Sequence, residues 1–273
     1  MLRSRSVVVV AALLVGAGLL FAAGQLLASL DRPQPHVKEL AKQPHEERIA
    51  VMITGQEIIP ALLEDYHLSA SQWVVVSKTR PLPDAHYVPH DLRVPAHIAV
   101  NDQKSQEEQS ISGIIEAPLE HMLTDATAAG HSLFIGSGYR SYELQNTYYS
   151  NYVRTSGEAE ANKFSAKPGY SEHQTGLSVD ISLVSRDCYL ETCFGETAAG
   201  KWLAAHAHEY GFILRYPADK SDITGYLYEP WHFRYVGKDL AGALYRSKLA
   251  LDEIIPQLES TRTQLIQHGK ITE

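Results

Sequence analysis

Two short segments concentrate the side chains best suited to chemistry. The first is Ser171-Glu172-His173-Gln174-Thr175-Gly176-Leu177-Ser178-Val179-Asp180, and the second is Glu229-Pro230-Trp231-His232. Together they offer two imidazoles, a carboxylate downstream of the first, and a carboxylate just ahead of the second. A hydrolytic zinc site needs three protein ligands, an open position for water, and a base beside that water. His173, Asp180 and His232 fill the ligand positions, and Glu229 fills that of the base. Singly, each residue is ordinary: one histidine among 13 is more often surface or core than ligand, and Trp231 alone reads as core. Only the combination points to a metal. The chain has no HExxH helix and no Ser/Lys or Ser/His/Asp arrangement, so the expected chemistry is metal-assisted and non-covalent.

These side chains need elements to position them. In GLSVDISLV the residues Leu177, Val179, Ile181 and Leu183 alternate, which predicts a strand with Ser178, Asp180 and Ser182 on the other face. Asp180 thus stands on a polar face, and Gly176 permits the bend that returns His173 toward it. Positions 229 and 232 would lie on opposite faces of a regular strand. Pro230 lacks a ladder donor and restricts the residue before it, which places Glu229 in the loop entering the strand WHFRYVG. SLFIGSGYRS predicts a strand running into a turn that carries Arg140. Further expectations are strands at 73–78 and in FILRYP, and helices over 106–129, 142–154 and 198–210, the last closed by Gly211. A C-terminal helix is expected over 239–267, broken near Pro256. Helices and strands mix without a βαβ period, so the fold class is α+β, a small antiparallel sheet carrying the site and flanked by helices. His206 reads as a hydrogen-bonded, semi-buried histidine, and Tyr148, Tyr149 and Tyr152 as helix packing rather than sugar-stacking residues.

The chain has 273 residues, 44% of them hydrophobic, and a net charge of −8, which excludes a disordered protein. Setting aside residues 1–30, with Arg3 and Arg5, leaves 22 basic against 32 acidic residues, a net charge of −10. An acidic domain without a Lys/Arg cluster argues against nucleic acid as the partner. Residues 7–30 form a 24-residue run without a charge. At about 20 residues per bilayer crossing this reads as an N-terminal transmembrane anchor, with Arg3 and Arg5 on the cytoplasmic side. A cleaved signal peptide, with Ala22 and Gly24 as small residues before the cut, is the alternative. Residues 31–69 follow as a polar stalk and extension, 70–250 as the catalytic domain, and 251–273 as a helical tail. Cys188 and Cys193, the only cysteines, read as a disulfide in an exported domain.

The two segments stand here as SEHQTGLSVD and EPWH. They resemble the motifs S-x-H-x-x-G-x-A-x-D and E-x-W-H of the VanY-type D-alanyl-D-alanine carboxypeptidases, zinc peptidases grouped with lysostaphin-like and hedgehog-like folds. Ser178 replaces the usual alanine. The resemblance extends in order over about 70–240 through VVVSKTRPLP, SGYRSYELQ, GKWLAAHAHEYGFILRYP and YEPWHFRYVG. It implies one zinc ion on His173, Asp180 and His232, with Glu229 as catalytic base. It also implies Arg140 near the scissile carbonyl or terminal carboxylate, a role suited to a planar guanidinium. Gln145 and Ser171 are further substrate-contact candidates, and Ser137 a weaker one. The implied substrate is a peptidoglycan stem peptide ending in D-alanine. With the anchor at 7–30, the expected location is the bacterial cell membrane, single-pass, with the catalytic domain outside. Trimming of tetrapeptides by an L,D-carboxypeptidase is the alternative within enzymes. A silent peptidoglycan-binding or sensor domain is the alternative outside them, and retention of Glu229 with all three ligands argues against it.

Overall fold

A computed structural model describes Tyr66 and residues 68–269. The apolar segment at 7–30 and most of the stalk lie outside these residues. Among the described residues no helix is long and apolar enough to cross a membrane.

Strands and helices mix as an α+β fold. A two-stranded ribbon pairs β1 (Leu92–Arg93) with β2 (Ile111–Ser112). The main sheet has four strands, β3 (Leu133–Ser137), β4 (Ser178–Leu183), β5 (Phe212–Leu214) and β6 (His232–Tyr235), in the order β3-β4-β6-β5 with every pair antiparallel. The alternation in β4 is as the sequence predicts. Val179 and Ile181 enter the main core with Leu119, Met122, Leu203, Phe212 and Phe233. Ser178 and Asp180 are buried on the other face, beneath the site.

Helices cover the sheet. The helix expected over 106–129 is two pieces, α1 (Gln106–Gln109) and α2 (Gly113–Ala128). A capping box between Ser105 and Glu108 starts α1, and the chain then leaves the helix because Ile111 and Ser112 pair with β1. α3 (Tyr142–Ser156) is capped by the Ser141 hydroxyl, and α4 (Glu158–Phe164) follows it. α5 (Ala198–His206) runs into a 3₁₀ turn closed by Gly211 at φ 92°. The short α6 (Ser221–Thr224) precedes β6.

Two further expectations need correction. The C-terminal helix does not break at Pro256. It is α7 (Lys238–Ser247) and α8 (Leu251–Gln267), divided where Lys248 turns left-handed at φ 58°, and Pro256 lies inside α8. Leu251, Ile254 and Leu258 of α8 pack with Tyr66, Val75, Leu240 and Leu244, so α8 shares a core with the domain. The strand expected at 73–78 forms no ladder beyond one bridge, Ser77 to Arg80. Its alternation is real, since Val75 enters the α7/α8 core while Val74 and Val76 pack on Leu82. Its carbonyls, however, accept from guanidiniums instead of a strand. Arg234 donates to the Gln72 and Val74 carbonyls, and Arg215 to that of Val76.

Candidate active site

The β4–β6 register sets Asp180 directly opposite His232, and the β3–β4 register sets Ser137 opposite Asp180. His173 arrives on a 3₁₀ turn, Glu172–Thr175, that ends at Gly176 with φ 68° and ψ 4°. A Cβ at Gly176 would meet the Ser112 nitrogen at 3.1 Å, so space as well as φ selects glycine. The bend brings His173 Nε2 to 3.4 Å from Asp180 Oδ2, while His232 Nδ1 lies 3.1 Å from Asp180 Oδ1. One donor atom from each of the three buried residues falls within 4.8 Å of the others.

The far side of each imidazole is also held. His173 Nδ1 donates to the Gly138 carbonyl at 2.6 Å, and His232 Nε2 donates to Glu172 Oε2 at 3.4 Å. A histidine whose second nitrogen donates to a carbonyl or carboxylate has its tautomer and ring orientation fixed for metal binding. The donor set, two imidazole nitrogens and one carboxylate oxygen, fits a zinc ion. Gly138 has no room for a side chain, because a Cβ would collide with the Ser110 carbonyl.

Glu172 was not among the residues expected to act. Its Oε1 accepts from Arg215 Nε at 2.7 Å and Arg234 Nη1 at 3.2 Å, and its Oε2 from Ser178 Oγ at 3.2 Å. Ser178, the departure from the family motif, therefore serves this carboxylate. Arg215 also pairs with Asp252 at the start of α8. Burial pushes the Glu172 pKa up, but the two guanidiniums outweigh it and hold the carboxyl well below its ordinary value. Asp180 is likewise lowered, its two histidine partners outweighing burial. Burial lowers His173. For His232, hydrogen bonds to Asp180 and Glu172 overcome burial and raise its pKa to about 9. An arginine inside each apolar run, FILRYP and WHFRYVG, was the available signal: a buried guanidinium requires a buried carboxylate.

Glu229 lies in the loop before β6, as Pro230 implied, with Oε2 at 3.9 Å from His232 Nδ1. Burial is the main reason its pKa rises to about 7, against the pull of His232 and Arg140. Arg140 leaves β3 through Gly138 and Tyr139. Its Nη1 donates to Gln145 Oε1 at 2.9 Å and its Nη2 to Ser137 Oγ at 3.2 Å, while its buried Nε has no protein partner. Gln145 spends its amide on Ala166 and Ser165, so it acts first as the support of Arg140. Ser137 does the same. Arg140, Gln145 and Ser171 line a cavity of about 330 Å³ with His173, Asp180, His232 and Glu229. Tyr152, Phe164 and Leu190 line it as well. Tyr148 and Tyr149 use their hydroxyls inside the protein, on Glu108 and Asn162, as packing residues do. His206 is half-buried and hydrogen-bonded to Glu209, as expected. Cys188 and Cys193 are joined, with Cα atoms 5.6 Å apart.

The family model for VanY, D-alanyl-D-alanine carboxypeptidase, matches residues 108–238. A protein of Bacillus subtilis (strain 168), YodJ, is 42% identical over 185 residues, covering 68% of this chain and 67% of its own. Among solved structures, the LdcB LD-carboxypeptidase matches with a TM-score of 0.65 and 40% identity, over 69% of this chain and 87% of that one. A mutant of the vancomycin-resistance D,D-pentapeptidase VanY in complex with Zn(II) matches with a TM-score of 0.55 and 31% identity, over 67% of this chain and 97% of that one.

Proposed function

Since the chain belongs to the VanY-type peptidoglycan carboxypeptidase family, we propose that it is a zinc-dependent carboxypeptidase removing the terminal D-alanine of peptidoglycan stem peptides. The observation that carries the reading is the buried His173–Asp180–His232 triad, each imidazole held from behind, with Glu229 at its edge. A zinc ion held there supplies Lewis-acid polarisation and lowers the pKa of water toward about 7. Glu229 takes a proton from the attacking water as its oxygen bonds to the scissile carbonyl carbon. It then gives that proton to the departing D-alanine nitrogen as the C–N bond breaks. A cation at the triad would take the place of the His232 charge and, with Arg140, hold Glu229 anionic for the first step. Arg140, with its unpartnered Nε donor, binds the terminal carboxylate or the developing oxyanion. Ser171 faces the same cavity as a substrate contact.

A pentapeptide ending in D-Ala-D-Ala is the substrate in this reading. The likeness to the LdcB LD-carboxypeptidase favours a second reading, in which tetrapeptide stems are trimmed. D-alanine release by zinc-loaded protein, from a defined pentapeptide and the matching tetrapeptide, decides between them; release from neither refutes both. We also propose that residues 7–30 tether the protein to the membrane with the catalytic domain outside. The Cys188–Cys193 disulfide supports an oxidising compartment. Recovery of full-length protein in the membrane fraction, with the domain open to external protease, is the expected result, and a mature N-terminus near Gln25 would replace the anchor by a cleaved signal.

A further inference from the structure

Leu190 lines the metal-site cavity, and its backbone is unusual. Four non-glycine residues among those described have positive φ. Three of them fall within five positions: Arg186 at 63°, Cys188 at 53° and Leu190 at 52°. Side chains disfavour this region, and leucine, unlike asparagine, gains no local hydrogen bond there. Such conformations persist only where the surroundings over-determine them, and they gather at functional sites.

Here the surroundings do so on both sides of Leu190. The Cys188–Cys193 bridge closes the loop. Tyr189 donates from its hydroxyl to the Gly136 carbonyl at 3.2 Å, accepts from Asn101 Nδ2 at 2.9 Å, and stacks on Phe134 with centroids 6.2 Å apart. Arg186 donates to Asn101 Oδ1 at 3.0 Å and Asp102 Oδ1 at 3.2 Å. Arg186, Cys188, Tyr189 and Cys193 thus each have a structural partner. Leu190 itself is half-buried, outside the apolar clusters of the core, and lines the cavity.

We propose that Leu190 is a specificity-determining residue, held against the bound stem peptide by the disulfide-closed loop 186–193. The proposal rests on the peptidase reading and deepens it. An apolar branched side chain on this wall favours small apolar groups such as the alanine methyl and disfavours a longer, charged side chain. It therefore sets the preference between a D-Ala-D-Ala terminus and a tetrapeptide terminus.

Leu190→Asn is the informative variant, because asparagine tolerates the left-handed conformation while removing the apolar wall. Its zinc content should equal that of the wild type and its melting temperature should be equal or higher. KM for the preferred peptide should rise about tenfold with kcat within about twofold, an effect at the low end of what apolar pocket contacts deliver. The pentapeptide-to-tetrapeptide ratio of kcat/KM should shift by a similar factor. Replacing both cysteines by serine should reproduce the KM change, and adding Leu190→Asn to that protein should change it little further. Unchanged KM and an unchanged ratio in a folded, zinc-loaded Leu190→Asn protein would overturn the proposal. Calorimetric Kd values for both peptides, measured in Glu229→Gln with and without Leu190→Asn, separate this from failure of the peptidase reading. Absent turnover by the wild type refutes the activity, while weaker peptide binding on losing Leu190 still supports the wall, and equal binding refutes it.

Discussion

Glu172→Gln tests the foundation of the metal site. Two carboxylates, Glu172 and Asp252, face two guanidiniums, Arg215 and Arg234, whose side chains are 0% exposed. Glutamine keeps the shape and removes one charge, leaving Arg234 buried without a carboxylate. Breaking a buried pair by removing one partner costs about 3–5 kcal/mol. For a domain of this size that is roughly 6–20 °C in melting temperature. The amide has one acceptor oxygen where the carboxylate had two. With its oxygen toward the arginines, its NH₂ confronts Ser178 and His232 Nε2. The imidazole then loses its acceptor, and its proton is free to move to Nδ1, the nitrogen turned toward Asp180. Loss of such outer support typically weakens metal binding about 10–100-fold. The sign with pH follows from the lowered Glu172 pKa: its stabilisation is full above the ordinary carboxylate range of about 4.3 and is lost as pH falls below it. The gap between wild type and variant should therefore be wide at pH 7 and close in acid. Thermal melts across pH, with zinc affinity from chelator competition, measure both effects. A variant melting within about 2 °C of wild type at pH 7, with unchanged zinc affinity, would refute the charge balance described here.

Three other results are expected. His232, with its pKa raised to about 9, carries a proton at pH 7 that zinc must displace, so zinc affinity should rise with pH up to that value and binding should release about one proton; calorimetry in buffers of different ionisation enthalpy counts it, and no release would contradict a protonated His232 in the metal-free protein. Glu229→Gln should retain zinc while turnover drops about 10²–10⁴-fold, and loss of the metal would instead make Glu229 a ligand. Arg140→Lys should leave zinc content unchanged and lower kcat/KM about 10–100-fold, since an ammonium cannot reproduce the guanidinium fork; near-normal kinetics would remove Arg140 from substrate binding.

The triad and Glu229 were legible because their spacing combines with strand parity. Asp180 falls on the polar face of an alternating strand, Gly176 announces a bend, and Pro230 excuses Glu229 from the strand. Glu172 was hidden because an acidic residue next to a ligand looks solvated until its partners are known, and those partners come from two strands distant in sequence. The segment 73–78 misled for the same reason. Its alternating valines are buried as a strand's would be, but nothing in VVVSK reveals that Arg215 and Arg234 take its carbonyls. The break at Lys248 was obscured because proline is the louder signal, while a left-handed lysine leaves no mark in composition. Leu190 had no sequence signal beyond lying between two cysteines.

Arg215 and Arg234 have a consequence for how the molecule opens. The same two side chains bind the carbonyls of Gln72, Val74 and Val76, the carboxylate behind His232, and Asp252 on α8. Segments more than a hundred residues apart in sequence thus share one pair of buried cations, and neither can detach without leaving buried guanidinium donors unpartnered. Local fraying of the 72–76 segment or of the first turn of α8 is therefore tied to disruption of β4 and β6, which carry Asp180 and His232. In native-state hydrogen exchange these regions should form one cooperative unit, exchanging together at the free energy of global unfolding.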